Sequence, residues 1–535
     1  MKKKLLSVLL CICVTAGLLA GCGSSSAGDS GSASESAAGG EAAGTASSEG
    51  LAISVCGGSE DAMVLDTAKT ATLEGLSACR HLYEGLYKLD QEGNVVLGQA
   101  SDVQVSDDGM TYTFTLRDDI TWSDGQPVTS ADFIYGWQYL KDAASDYCDL
   151  LSMVASSEAP DDKTLVLTLA YPCAYLPSVL AFPSTYPVRQ DYVEANGDAY
   201  ATDPDKAVYN GAYEMTDWTH QESVVMKARE DYYDAASITA KEITWQVMTD
   251  TSTMLASFES GDIIYSDSYP EEGNLEALQF ASGYNTYCTM FNVGEKGPEV
   301  LKDAKVRKAL SLAIDRNRLV SIRNLGDELA TTYAPSGLTD ASGKEFNSTV
   351  TPWFSVDEAD YTSNCEEAKK LLADAGYADG AGFPALTYIV NNDGRKEIAE
   401  AIVSDWKEVL GIDSVTVEIV DSFFAQRQDQ DYDIAYFGWF MDYPDISNMM
   451  YTCVSGASDS GFANSEYDAA YDAAISNTDV KAQWESYAKC EDILAEEVPL
   501  VPLFHQQNSY LFDADGYDGL VYYCGNFYFG YITQK

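Results

Sequence analysis

The sharpest switch between hydrophobic and polar positions falls late in the chain, over Asp431–Ile446, DYDIAYFGWFMDYPDI. Asp433 to Phe440 is almost wholly apolar and rich in Tyr, Phe, Ile and Trp. A short apolar run bounded by polar residues reads as a buried strand. Asp442, Tyr443, Pro444 and Asp445 then make a polar turn at its mouth, where Pro444 forbids continuation. A carboxylate there, beside Trp439 and Tyr443, is placed to catch a cation at the edge of a cleft. Taken alone, the same residues are an ordinary surface turn.

Earlier segments show both periods. Leu51 to Val55 reads as an opening strand. Arg80 to Leu89 carries apolar residues at helical spacing, stopped by Gly85 and a turn near Gly93. Tyr112, Phe114 and Leu116 alternate with Thr113, Thr115 and Arg117, as one strand face should, between turns at Asp107-Asp108-Gly109 and Asp124-Gly125. Thr129 and Asp132 have capping-box spacing, predicting an amphipathic helix through Leu140. Val306 to Val320 carries an apolar stripe of Val306, Leu310, Ala313, Ile314 and Val320, with Asp303 as cap. A shorter helix follows from Ser363, with Glu366 at capping-box spacing and Gly376 as its stop. Ala385–Val390 reads as a strand, Lys396–Leu410 as a helix ended by Gly411, and Ser414–Val420 as a strand. Such alternation implies an α/β body.

The N-terminus changes the picture. Lys2, Lys3 and Lys4 precede an apolar run, Leu5–Ala20, too short to span a bilayer comfortably, which wants about 20 residues. Residues 1–21 read as an export signal. Leu19-Ala20-Gly21-Cys22 resembles a bacterial lipobox, in which the Cys is lipidated and becomes the mature N-terminus; the alternative is a plain signal with an incidental Cys. Residues 22–50 then hold the lipidatable Cys22 and a stretch of almost only Gly, Ser, Ala and Glu, with too little to bury. It serves as a tether with an average reach of roughly 30 Å.

The body from Leu51 to Lys535 is long enough for two or three lobes, and 46% of the chain is apolar. The balance of 32 Lys plus Arg against 84 Asp plus Glu, net −52, makes nucleic acid or an anionic surface a poor partner. A solvated acidic surface explains it, as does attraction of cationic ligands. With Cys11, Cys13 and Cys22 set aside, nine Cys remain. An odd number without C-x-x-C reads as buried free thiols, not a disulfide framework.

Catalytic signatures are missing: no G-x-S-x-G, no G-x-x-x-x-G-K-[ST], no H-E-x-x-H. The three His, at 81, 220 and 505, lie far apart. Asp513-Ala-Asp515-Gly516 lacks the twelfth-position Glu of a calcium loop and reads as a turn. No metal, cofactor or catalytic residue is assigned, and the chain reads as a binding protein, not an enzyme.

Ser106 to Arg117 and Trp122 to Phe133 carry a specific resemblance. They follow S-x-D-G-x-x-Y-x-F-x-L-R and W-S-D-G-x-P-V-T-A-x-D-F nearly throughout. The chain resembles the peptide- and nickel-binding (cluster C) family of solute-binding proteins serving ABC importers, nearest the oligopeptide-binding lipoproteins. Ala181–Val188, Tyr209–Tyr213 and Val306–Val320 extend the likeness. One departure is Val103, a packing position where members usually carry Trp.

The resemblance implies an α/β, two-lobed periplasmic-binding-protein-like fold, an extra lobe inserted in the first, and a ligand cleft between the lobes. Lobe I is expected at 51–83, 208–293 and 506–535, the inserted lobe at 84–207 and lobe II at 294–505. The chain is expected to cross between the main lobes near Asn292-Val-Gly294 and Phe504-His505. It also implies a ligand peptide paired by its main chain to cleft strands. Gly438, Trp439, Phe440, Asp442 and Tyr443 match the family's G-W-x-x-D-Y motif, in which the aspartate takes the peptide's α-ammonium. Tyr147 aligns with a ligand-facing tyrosine of the inserted lobe, Arg427 with a cleft arginine, and Glu74 with an acidic residue near the ligand's N-terminus.

The implied function is a lipid-anchored receptor on the extracytoplasmic face of a bacterial membrane. It is a monomer that captures oligopeptides and hands them to an ABC permease with its ATPase subunits. The same fold could bind a nickel chelate or an oligosaccharide, for which 36 Tyr and 8 Trp offer stacking surfaces, or act as a peptide-pheromone receptor.

Overall fold

The computed structural model describes residues 50–57, 64–70, 72–143, 145, 147–270, 277–339, 344–477 and 479–535. The expected export signal, the expected lipidation site Cys22 and nearly all of the expected tether lie outside the described residues.

Three sheets organise the body. The first has seven strands in the order 278–282, 507–512, 265–266, 51–56, 240–246, 223–228, 213–219. The second has six, in the order 328–329, 500–505, 285–291, 434–440, 386–390, 415–419. The third is antiparallel with four, in the order 100–105, 111–116, 164–169, 154–161. One apolar core runs through the first and third sheets, and the second sheet carries a separate core on each face. Tyr112, Phe114 and Leu116 point into the first of these cores. Val103 packs against it from the neighbouring strand, opposite Phe114.

Several helices form where their caps demand. Thr129 and Asp132 close a capping box on Ser130–Asp142. Asn392 caps Asp393–Leu410, which ends on Gly411 at φ +72°. The expected helix over 80–89 differs. The helix is Leu73–Leu82, capped by the Thr72 hydroxyl, and Tyr87–Leu89 is a strand. Gly85 separates them because a Cβ there would lie 2.4 Å from the Leu180 carbonyl oxygen. Val306–Val320 is also two helices, Ala304–Leu312 and Arg316–Arg323. Asp303 caps the first as expected, but Asp315 caps the second by accepting from the Arg318 amide at 3.1 Å. The N–H of Asp315 turns away to the Asp405 carboxylate, 3.0 Å. The helix expected from Ser363 begins at Tyr361, and no side chain caps it.

The strand Asn285–Phe291 is hydrogen-bonded on both sides within the second sheet. The chain therefore changes sheet at Gly283-Tyr284, one strand before the expected 292–294. It returns at Gln506, between strands Leu500–His505 and Gln507–Phe512. The two crossings touch: the Gly283 amide donates to the Gln506 carbonyl at 3.1 Å. A Cβ on Gly283 would meet that carbonyl at 2.6 Å, so only glycine lets the two crossing segments approach this closely. Among the described residues, nine cysteines are free and seven of them buried. No helix among them is long and apolar enough to cross a membrane.

Candidate ligand-binding site

The apolar strand is Ile434–Phe440. One edge pairs along its whole length with Asn285–Phe291, while on the other, among the described residues, only Ile434 and Ala435 pair, with Leu386–Val390. Its second half thus keeps one edge without a strand partner, a template for an added strand. Gly438 is required there sterically. The Tyr287 ring lies over it, and a Cβ would sit 2.4 Å from Tyr287 Cε1.

Beyond the strand, the Met441 amide donates to the Tyr284 carbonyl (3.1 Å), which anchors the turn. Asp445 caps the helix Ile446–Tyr451 through the Ser447 amide, 2.9 Å. Asp442 sits between strand and helix, half-buried. The Asn448 amide donates to its Oδ2 at 3.2 Å, while Asn448 Oδ1 accepts from the Trp439 indole N–H at 2.7 Å. Asn448 therefore locks Trp439 and Asp442 into one chain. Burial pushes the Asp442 carboxyl up from the usual carboxylate range, and the Asn448 bond offsets this only in part. No Lys, Arg or His pairs with Asp442 among the described residues. A desolvated carboxylate without a cation is costly unless a ligand supplies the charge.

Other parts of the chain close around this turn. Tyr443 is buried and stacks on Tyr175, at the start of the helix Leu176–Leu180, centroids 5.0 Å apart and planes 8° from parallel. Cys524 lies in the turn between strands Val521–Tyr523 and Asn526–Tyr528, within reach of the Asp442 charge. Burial pushes its thiol up, Arg80 draws it down, and the Asp442 charge adds to the rise. Phe440 is 45% exposed, its ring perpendicular to that of Tyr287 with centroids 6.1 Å apart.

Three other expected residues lie outside this turn. Glu74, in the first turn of Leu73–Leu82, lines a cavity of about 260 Å³. The ring of Tyr147 rests on Phe182, 4.8 Å between centroids. Arg427 is buried, ion-paired to Asp459 at 2.8 Å, with its guanidinium over Phe437 of the site strand. Its charge is already met, so it braces the strand from beneath. Asn448, Tyr175 and Cys524 were not foreseen. Asn448 belongs to no motif, and the other two reach the site only through long-range folding. Among the described residues no cluster of His, Cys, Asp and Glu could hold a metal.

Comparison with known proteins follows the same lines. Residues 94–461 match the family model described as the middle part of bacterial extracellular solute-binding proteins, family 5. The periplasmic oligopeptide-binding protein OppA of Salmonella typhimurium is 30% identical over 480 residues, 84% of this chain and 86% of that protein. The unliganded open form of the murein tripeptide-binding protein MppA superposes with a TM-score of 0.75 at 26% identity, covering 90% of this chain and 99% of that one. Haemophilus influenzae OppA in complex with the peptide RPPGFSPFR gives 0.69 at 26% identity, covering 89% and 99%. The fold is the two-lobed one of these binding proteins, with a cleft between the lobes. With more than half of its length matching the family model, the chain belongs to family 5 of the bacterial extracellular solute-binding proteins.

Proposed function

We propose that this protein is an extracytoplasmic receptor that captures oligopeptides in the cleft and delivers them to an ABC permease. The observation that carries this reading is Asp442: a half-buried carboxylate that accepts from the Asn448 amide and has no cation among the described residues, at the end of a strand with an edge left open among them. A peptide meets both needs. Its α-ammonium offers three donors to the carboxylate, and its main chain can extend the sheet beside Gly438–Phe440. Tyr175 stacking on Tyr443 then closes the inserted lobe over the ligand's first residue. Closure removes water and strengthens the ion pair, a hinge motion about the crossings at Gly283-Tyr284 and Gln506. Tyr147 and Glu74 contribute from the cleft walls, and Arg427 holds the strand in place. Cys22 anchors the monomer to the membrane by its lipid, with the low-complexity tether giving it reach.

Denaturing the purified protein and identifying the released ligand by mass spectrometry tests this reading. The expected result is a set of short peptides with free α-amino termini. A sugar or a metal chelate would overturn it.

A further inference from the structure

The first crossing between the sheets is strained. Tyr284, between strands Leu278–Ser282 and Asn285–Phe291, has φ +46°. That is the left-handed region, where a Cβ crowds the following carbonyl and a residue persists only when its surroundings over-determine it. Among the described non-glycine residues at positive φ, Tyr284 is the one aromatic.

What holds Tyr284 there reaches both sides of the cleft. Its amide donates to the Ser282 hydroxyl at 3.3 Å, and that hydroxyl donates to the Ser336 carbonyl at 3.0 Å. Its carbonyl accepts from the Met441 amide, one residue before Asp442. Its ring packs against the core shared by the first and third sheets and also against one core of the second. A Cβ on Gly337 would lie 3.5 Å from Tyr284 Cε1. The next residue, Asn285, accepts from the Gln506 amide at 3.2 Å and so ties this crossing to the other.

These contacts make one backbone answer to two events. Gly283 and Tyr284 lie outside either strand, so a rotation of the lobes about the crossings turns their dihedral angles. Because the Tyr284 carbonyl carries Met441, the same rotation moves the turn that bears Asp442 and Tyr443. Relaxing Tyr284 to a negative φ turns that carbonyl away and draws Tyr443 off Tyr175.

We infer that Tyr284 is a positioning residue of the hinge. Its left-handed backbone belongs to the lobe arrangement that sets Tyr443 on Tyr175, and the strain biases the protein toward an arrangement in which the turn has withdrawn and the cleft is wider. The inference concerns lobe movement and holds for any ligand of the cleft.

The test is small-angle X-ray scattering of the full chain, freed of ligand, with Tyr284→Ala compared with Tyr284→Gly. Both lose the ring and differ by one Cβ, and only Gly adopts this backbone without penalty. The ratio of the two lobe arrangements should differ between the variants by roughly five- to thirtyfold, read as the larger radius of gyration in the Ala variant. A purely local strain would lower the melting temperature of the Ala variant and leave the radii equal. Equal radii, or the larger radius in the Gly variant, overturns the inference. Should loss of the ring unfold both, Ser282→Ala decides: it keeps the ring, removes the acceptor of the Tyr284 amide, and should give a larger radius than the parent. An unchanged radius there overturns the inference.

Discussion

Replacing Asp442 with Asn weakens peptide binding by roughly two to three orders of magnitude. Removing one partner of a desolvated ion pair costs about 3–5 kcal/mol, and each 1.4 kcal/mol is tenfold in affinity. Asn keeps the size of the side chain and its link to Asn448, so the loss reports the charge and not the packing. The unliganded protein responds in the opposite sense. Burial raises the carboxyl's folded-state pKa above that of the free side chain. A folded state that holds its proton more tightly loses stability as pH rises through that raised pKa. At neutral pH the ionised carboxylate is therefore a liability, and the ligand-free variant should melt no lower than the parent. Peptide should raise the melting temperature of the parent and leave the variant unmoved. The same linkage governs binding. As pH falls through the raised pKa, Asp442 takes up a proton, the ammonium keeps its charge, and affinity drops. Thermal shift with and without peptide, repeated across the acid range, reads all three effects.

The second large effect lies behind the site. Glu491 is 1% exposed and accepts three hydrogen bonds, from the Ala334 amide at 2.6 Å, the Tyr333 amide at 3.1 Å and the Trp353 indole at 2.8 Å. The segment it holds supports the second sheet: the Tyr333 carbonyl accepts from Thr286, which lies opposite Trp439. Glu491→Ala orphans three buried donors and opens a void. With each orphan costing about 1–3 kcal/mol, a loss of about 3 kcal/mol or more is expected in denaturant unfolding. Burial lifts the Glu491 carboxyl to about 7, against the pull of its three donors. The folded state keeps this proton from the ordinary glutamate value up to about pH 7 where the unfolded chain has released it. The stability this group adds is full below the ordinary value and is lost as pH rises through about 7. Glu491→Gln retains an acceptor, so it should cost less than Ala and abolish that slope. A slope unchanged in the Gln variant would assign it to another group.

Much of the fold is legible in the sequence. The site strand, the alternating Tyr112–Leu116 face, the Thr129 capping box and the Gly411 stop depend on neighbours within a few residues, where sequence speaks directly. What escaped depends on competition or distance. The stripe over Val306–Val320 is continuous on paper, yet Asp315 offers its carboxylate to Arg318 and starts a second helix. Residues 80–89 merge a helix end and a strand because both bury Leu and Tyr, and only the contact at Gly85 separates them. Gly438 belongs to a motif in the sequence, and the Tyr287 ring across the strand pair supplies the physical reason for it. Within the site, the G-W-x-x-D-Y segment was legible because its residues are contiguous. Asn448, Tyr175 and Cys524 were not, since nothing in their local sequence distinguishes them from core residues. Arg427 shows the opposite failing: an alignment marks it, but Asp459, distant in sequence, takes its charge.

The central claim is that Asp442 grips a free α-ammonium in the cleft. Calorimetric titration of one peptide, free and N-acetylated, tests it most directly, since acetylation removes the charge and leaves the rest of the ligand intact. The account predicts that the acetylated form binds at least about a hundredfold more weakly; equal affinity for the two forms would contradict it.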